Sequence, residues 1–137
     1  MKVAVIYDSR TGTTQAAAEA IGAELENKGH TCSVQSVDEA EPAEVGAADL
    51  ILIGSWTQGL FLILQHPTAA TMMFIERLGD LSGKRAVVFC TYKLAIGSTL
   101  DKMSRAVAAK GADVIGSFKF RGPKPSDAFS SFAATLG

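Results

Sequence analysis

Cysteine is scarce: Cys32 and Cys90 are the only two in 137 residues. Two are too few for a disulfide framework, and they lack metal-ligand spacing. Long hydrophobic stretches are missing as well. No purely apolar run exceeds five residues, the length of Leu60–Leu64, far short of the roughly 20 that span a bilayer. There is no excess of basic charge. Lys and Arg number 13 against 14 Asp and Glu, a net charge of −1, which argues against general nucleic-acid binding through a strongly basic surface. No G-x-G-x-x-G occurs, so the dinucleotide fingerprint is absent. The only Gly-Lys pair, Gly83-Lys84, is followed by Arg85 and lacks the spacing of a triphosphate-binding loop. Neither cysteine has an arginine six positions later: Cys32 meets Asp38 and Cys90 meets Ile96. No internal repeat or low-complexity tract is visible.

What is present reads as one globular domain over residues 1–137. Hydrophobic residues make up 47% and charged residues 20%, too apolar for disorder. The chain opens on a strand-like run with no signal-peptide pattern, and the expectation is a cytoplasmic protein. The charge is unevenly placed. Residues 1–68 hold three basic and nine acidic side chains, and residues 69–137 hold ten basic and five acidic ones. This reads as two solvated faces of opposite sign.

Five apolar, β-branched segments alternate with helical ones. Residues 2–7 form a run buried on both faces. A helix follows from Thr14 to Lys28, with Ala17, Ala18, Ile21 and Leu25 on one face and Gly29 as its stop. Residues 31–37 form a second strand, and Pro42 starts a short helix. Leu50–Ile53 is a third strand, central and ending at Gly54. Residues 69–79 are helical, with Met72, Met73 and Ile75 offered to the core. Ala86–Thr91 is a fourth strand, Leu100–Lys110 a helix, Val114–Phe120 a fifth strand and 126–136 a last helix. Alternation of this kind predicts an α/β fold, a parallel five-stranded sheet with helices on both faces. The commonest order is 2-1-3-4-5, which puts a ligand at the carboxyl ends of the strands beside the switch point.

The loops at those ends carry the chemistry. The first is Asp8-Ser9-Arg10-Thr11-Gly12-Thr13-Thr14: four hydroxyls, one glycine and the start of a helix. Free N–H groups at a helix start bind phosphate, and glycine allows close backbone approach. The same composition also serves as a plain helix cap. A receiver-type acidic site is excluded, because Gly54-Ser55 stands where the third strand should end in aspartate.

Ser9-x-Thr11-Gly12-x-Thr14 resembles the phosphate-binding signature of flavodoxins, [ST]-x-T-G-x-T, at all four fixed positions. The likeness extends along the chain, with strand spacings like those of short-chain flavodoxins and their three-layer sandwich. It implies FMN, with its phosphate in Ser9–Thr14 and its ring between the loops after the third and fourth strands. Those loops offer Ser55, Trp56, Thr57, Gln58 and Gly59, then Thr91, Tyr92, Lys93 and Gly97. Two positions depart from the family: Gln58 and Leu94 stand where many or some members carry a stacking aromatic. Another departure is the absence of any charged side chain from Leu50 to Ile75, where flavodoxins usually place acidic residues. Less negative charge predicts a less negative potential for the second reduction of the flavin.

The stretch Gly59–Pro67 reads as an apolar surface loop. It predicts docking of redox partner proteins around Leu60–Leu64, weakly dependent on salt. His66 is its one titratable group. The resemblance implies an electron carrier, monomeric or weakly dimeric, without nucleic-acid or membrane partners. Two other readings stand beside it: a small flavin-dependent quinone or disulfide reductase, and a flavodoxin-fold binding module without flavin.

Overall fold

The computed structural model describes residues 1–60 and 63–136, with the side chains of Leu60 and Ile63 left out. Phe61 and Leu62, in the middle of the expected docking stretch, and Gly137 lie outside the described residues. In chain order the elements are β1 (Lys2–Asp8), α1 (Thr13–Asn27), β2 (Thr31–Ser36), α2 (Pro42–Gly46) and β3 (Leu50–Leu60). They continue as β4 (Ile63–Pro67), α3 (Ala69–Arg77), β5 (Arg85–Thr91), α4 (Thr99–Ala109), β6 (Asp113–Phe120) and α5 (Asp127–Ala133).

The parallel strands run in the order β2-β1-β3-β5-β6, the 2-1-3-4-5 order expected when the five are counted in sequence. Each central strand has an apolar stretch, Val3–Ile6, Leu50–Ile53 and Ala86–Phe89, where both faces are covered. Alternate residues point to opposite faces. Ala4, Ile6, Ile51, Ile53 and Val88 pack with Phe74 and Ile75 of α3 and Met103 and Val107 of α4. Val3, Val5, Leu50, Leu52, Val87 and Phe89 pack with Ile21 and Leu25 of α1 and Phe129 of α5. Burying each such side chain contributes roughly 1.5–3 kcal/mol. The two clusters sandwich the sheet and leave its carboxyl-end loops outside the core.

Helix ends follow local chemistry. After α1, Gly29 takes φ +94°, its N–H bonds Glu26 O and that of His30 bonds Leu25 O. That is the paired closure a left-handed residue after a helix permits. Thr68 caps α3 and Ser126 caps α5, each accepting from a backbone N–H three residues on.

Three expectations are corrected. The third strand does not stop at Gly54 but continues to Leu60. A Cβ on Gly54 would lie 2.1 Å from the Phe89 ring, so this glycine makes room for a neighbour rather than ending a strand. The segment read as a surface loop contains β4, antiparallel to β3, with Thr57 facing Pro67 and Gln58 facing His66. Met73 is 56% exposed, and Phe74 fills the core in its place. Among the described residues no helix is long and apolar enough to cross a membrane.

Candidate cofactor cavity

A cavity of about 500 Å³ opens at the carboxyl ends of β1, β3 and β5, where the strand order reverses between β1 and β3. Its first wall is the β1–α1 loop. Gly12 stands at the N-terminus of α1 in the left-handed region, φ +92°, a conformation that favours glycine. Its N–H donates to Ser9 Oγ at 3.1 Å, and Ala16 N–H closes the first helical turn on Gly12 O at 2.9 Å. No side chain caps this helix, and its first turn carries no acidic residue. The first backbone N–H groups of a helix have no partner within it, so this end of α1 presents donors and the positive end of its dipole. Thr11 and Thr13 line the cavity beside them. Thr14 is buried, and its hydroxyl lies 2.7 Å from that of Thr91.

The second wall comes from β3: Trp56, Thr57, Gln58 and Gly59, joined by Gln65 of β4. The Arg10 guanidinium lies 5.5 Å from the Trp56 ring centre and links the first two walls. Gly59, with φ +155°, sits at the irregularity between Gln58 and Leu60. A Cβ there would meet Gln65 Cα at 2.8 Å. Thr57 Oγ1 is closed off from solvent without a hydrogen-bond partner; the Cys90 thiol, a weak donor, stands near it. The third wall is Thr91, Tyr92, Lys93, Leu94 and Ala95, completed by Arg121, Gly122 and Pro123 after β6. Lys119 Nζ and the Arg121 guanidinium lie 6.0 and 5.7 Å from the Tyr92 ring centre.

Five of the residues named from the sequence do not line the cavity: Ser9, Gly12, Ser55, Gly97 and His66. Ser9 braces its loop through Gly12. Ser55 is fully buried: its hydroxyl donates to Trp56 O at 2.7 Å and accepts from Thr68 N–H at 3.0 Å. Thr68 in turn donates to Asp8 Oδ2 at 2.5 Å, tying the start of α3 to the end of β1. Gly97 packs its backbone on Gln65, whose Cβ would lie 2.9 Å from an added methyl. His66 is also outside the lining, with Nδ1 2.7 Å from Pro67 O. Sequence reasoning missed Gln65 and Arg121–Pro123. The signal for the latter was available, since the loop after the last strand opens at the same sheet end.

Cys90 is fully buried. Burial pushes its thiol up to about 11, the nearby Thr57 hydroxyl and Lys119 opposing the shift, so it stays protonated at neutral pH. Among the described residues no cluster of His, Cys, Asp or Glu could hold a metal ion.

The volume lies within the range of small-molecule sites. Uncapped N–H groups suit a phosphate, and two aromatic rings suit a flat heterocycle. These features fit a flavin mononucleotide. The fold and cavity therefore define a doubly wound α/β protein whose uncapped helix start, suited to an anion, opens at its switch point. The Flavodoxin family model matches residues 5–132, and the chain belongs to the flavodoxin family. A flavodoxin of Maridesulfovibrio salexigens is 31% identical over 142 aligned positions, covering 98% of this chain and 96% of that protein. The two-electron reduced flavodoxin of Megasphaera elsdenii superposes with a TM-score of 0.80 at 24% identity, over 98% of this chain and 99% of that one. The flavodoxin of Streptococcus pneumonia TIGR4 gives 0.81 at 18% identity, over 99% and 97%. Membership of the family makes FMN the cofactor and electron transfer to redox partner proteins the activity.

Proposed function

We propose that the chain carries electrons between partner proteins on FMN seated in this cavity, without acting on a small substrate of its own. The observation that carries the assignment is the uncapped start of α1, opening with Thr11 and Thr13 onto the cavity at the switch point. The cofactor supplies one- and two-electron redox chemistry; the protein supplies binding and electrostatics.

Each wall has a distinct role. The N–H groups at the start of α1, with the Thr11 and Thr13 hydroxyls, hold the phosphate without adding charge. Gly12 keeps the backbone accessible there. Thr14 and Thr91 bond to each other and fix the first wall to the third. Trp56 and Tyr92 supply aromatic surface for the ring, and Gln58, Gly59 and Lys93 border it. Ser9, Ser55 and Gly97 shape the loops that present these groups. One compact phosphate loop, with no second motif for an adenine half, selects FMN over FAD.

Partners approach at the open mouth, on the side of Leu64 and Leu94. Two observations support this placement: Leu64 is 71% exposed and Leu94, on the cavity rim, is 60% exposed. Exposed apolar side chains beside a cofactor are suited to contact with another protein. Mass analysis of the cofactor released by acid tests the assignment. FMN is expected; FAD, or nothing after reconstitution with FMN, contradicts it.

A further inference from the structure

The charge around the cavity mouth has one sign. Arg10, Lys93 and Arg121 line the cavity, and no carboxylate does. Lys119 adds a fourth cation beside Arg121 at the Tyr92 ring. All four residues are exposed. Among the described residues the one ion pair is Lys110–Glu76, so none of the four is neutralised by a carboxylate. Aromatic rings hold three of them instead: Trp56 under Arg10, and Tyr92 under Lys119 and Arg121. A ring keeps a cation in place without cancelling its charge. Asp8, at the end of β1, has one carboxylate oxygen engaged by Thr68 and is not in the lining. Arg10 stands in the phosphate loop and can be offset by a bound phosphate. Lys93, Lys119 and Arg121 stand on the opposite wall, after β5 and at the end of β6.

We infer that the cavity mouth is a docking face for a redox protein whose own contact surface is acidic. The inference rests on the flavin reading of the cavity, which makes this mouth the exit for electrons. A cleft rimmed by one sign of charge concentrates the opposite sign and speeds encounter. Unpaired cations around the exposed Leu94 and the half-buried Tyr92 form a charged rim about a partly apolar centre, a common layout of protein interfaces. It replaces the expectation of docking that salt hardly affects.

The test titrates the oxidised, FMN-loaded chain with plastocyanin, a small acidic copper protein, while amide chemical shifts are recorded. Shifts are expected to centre on residues 10, 92–94 and 119–122. Affinity should fall about tenfold or more between low and physiological salt. It should fall again in the Lys119→Glu/Arg121→Glu variant. Arg10→Glu, in a separate loop, repeats the measurement independently. Shifts centred elsewhere, or an affinity indifferent to salt and to both variants, overturn the inference and leave the flavin reading intact. A chain that takes up no FMN overturns the flavin reading, and the shifts on that chain still decide whether an acidic protein docks at this face.

Discussion

The hydroxyls of Thr14 and Thr91, 77 residues apart in sequence, lie 2.7 Å from each other in the buried floor between α1 and β5. This bond fixes the phosphate loop against the far wall of the cavity. Removing one hydroxyl leaves the other buried and unpaired. Thr14→Val and Thr91→Val should each cost about 1–3 kcal/mol, whereas the double variant should cost less than their sum. Urea unfolding of the three variants measures this. Additive losses would mean the hydroxyls do not depend on each other.

Gly12 holds φ +92° at the start of α1, and a Cβ there meets nothing within 4 Å. The constraint is conformational rather than steric. Gly12→Ala should cost about 1 kcal/mol of stability, and Gly12→Asn less, because asparagine tolerates the left-handed region. Thermal unfolding checks the order of the three.

Gly54 is constrained in the other sense. Its Cα partner on β5 is Phe89, whose ring would lie 2.1 Å from an added methyl. Gly54→Ala should destabilise by about 1–3 kcal/mol or more, and Phe89→Leu in the same chain should restore part of the loss. Calorimetry of the single and double variants decides it.

These glycines show how much the sequence told and where it stopped. The apolar segments at 3–7 and 50–53 placed the central strands, and the loop Ser9–Thr14 pointed to the cavity mouth at the start of α1, because both signals are local. Gly54 looked like a strand end because its true neighbour is 35 residues away on β5. The β3–β4 pairing was hidden for a related reason. Residues 60–64 are apolar without period-two alternation, and the stretch 59–67 lacks an Asn-Gly or Asp-Gly turn. Met73 and Phe74 are both apolar neighbours on one helix, and only packing against the sheet decides which turns inward. Arg121 and Gln65 join the cavity through sheet order and the extra strand, which no single loop reveals.

Cys90 predicts a pH dependence. Its thiol is raised from an ordinary value near 9 to about 11 by burial. Between those values the unfolded chain releases a proton that the folded chain keeps. Stability is therefore unaffected below pH 9 and falls as pH rises towards 11, by about 2–3 kcal/mol from this group. Denaturant unfolding at pH 8 and pH 11 should show the loss, and Cys90→Ala should remove that part of it.

The cations lining the cavity bear on the flavin's potential. Positive charge favours addition of an electron nearby. Lys93→Glu/Arg121→Glu should lower the potential of the second reduction step by on the order of tens of millivolts. Redox titration of the variant against the parent chain measures it. An unchanged or raised potential would mean these side chains are screened from the ring.

The central claim is that the loop Ser9–Thr14 and the start of α1 hold the phosphate of FMN. The direct measurement is titration of the flavin-free chain with FMN and with riboflavin, which lacks the phosphate, following flavin fluorescence in the parent and in Thr11→Val. FMN should bind at least about tenfold more tightly than riboflavin, and Thr11→Val should weaken FMN by a further five- to 100-fold or so, corresponding to about 1–3 kcal/mol. Equal affinity for the two flavins, or no uptake of either, would contradict the account.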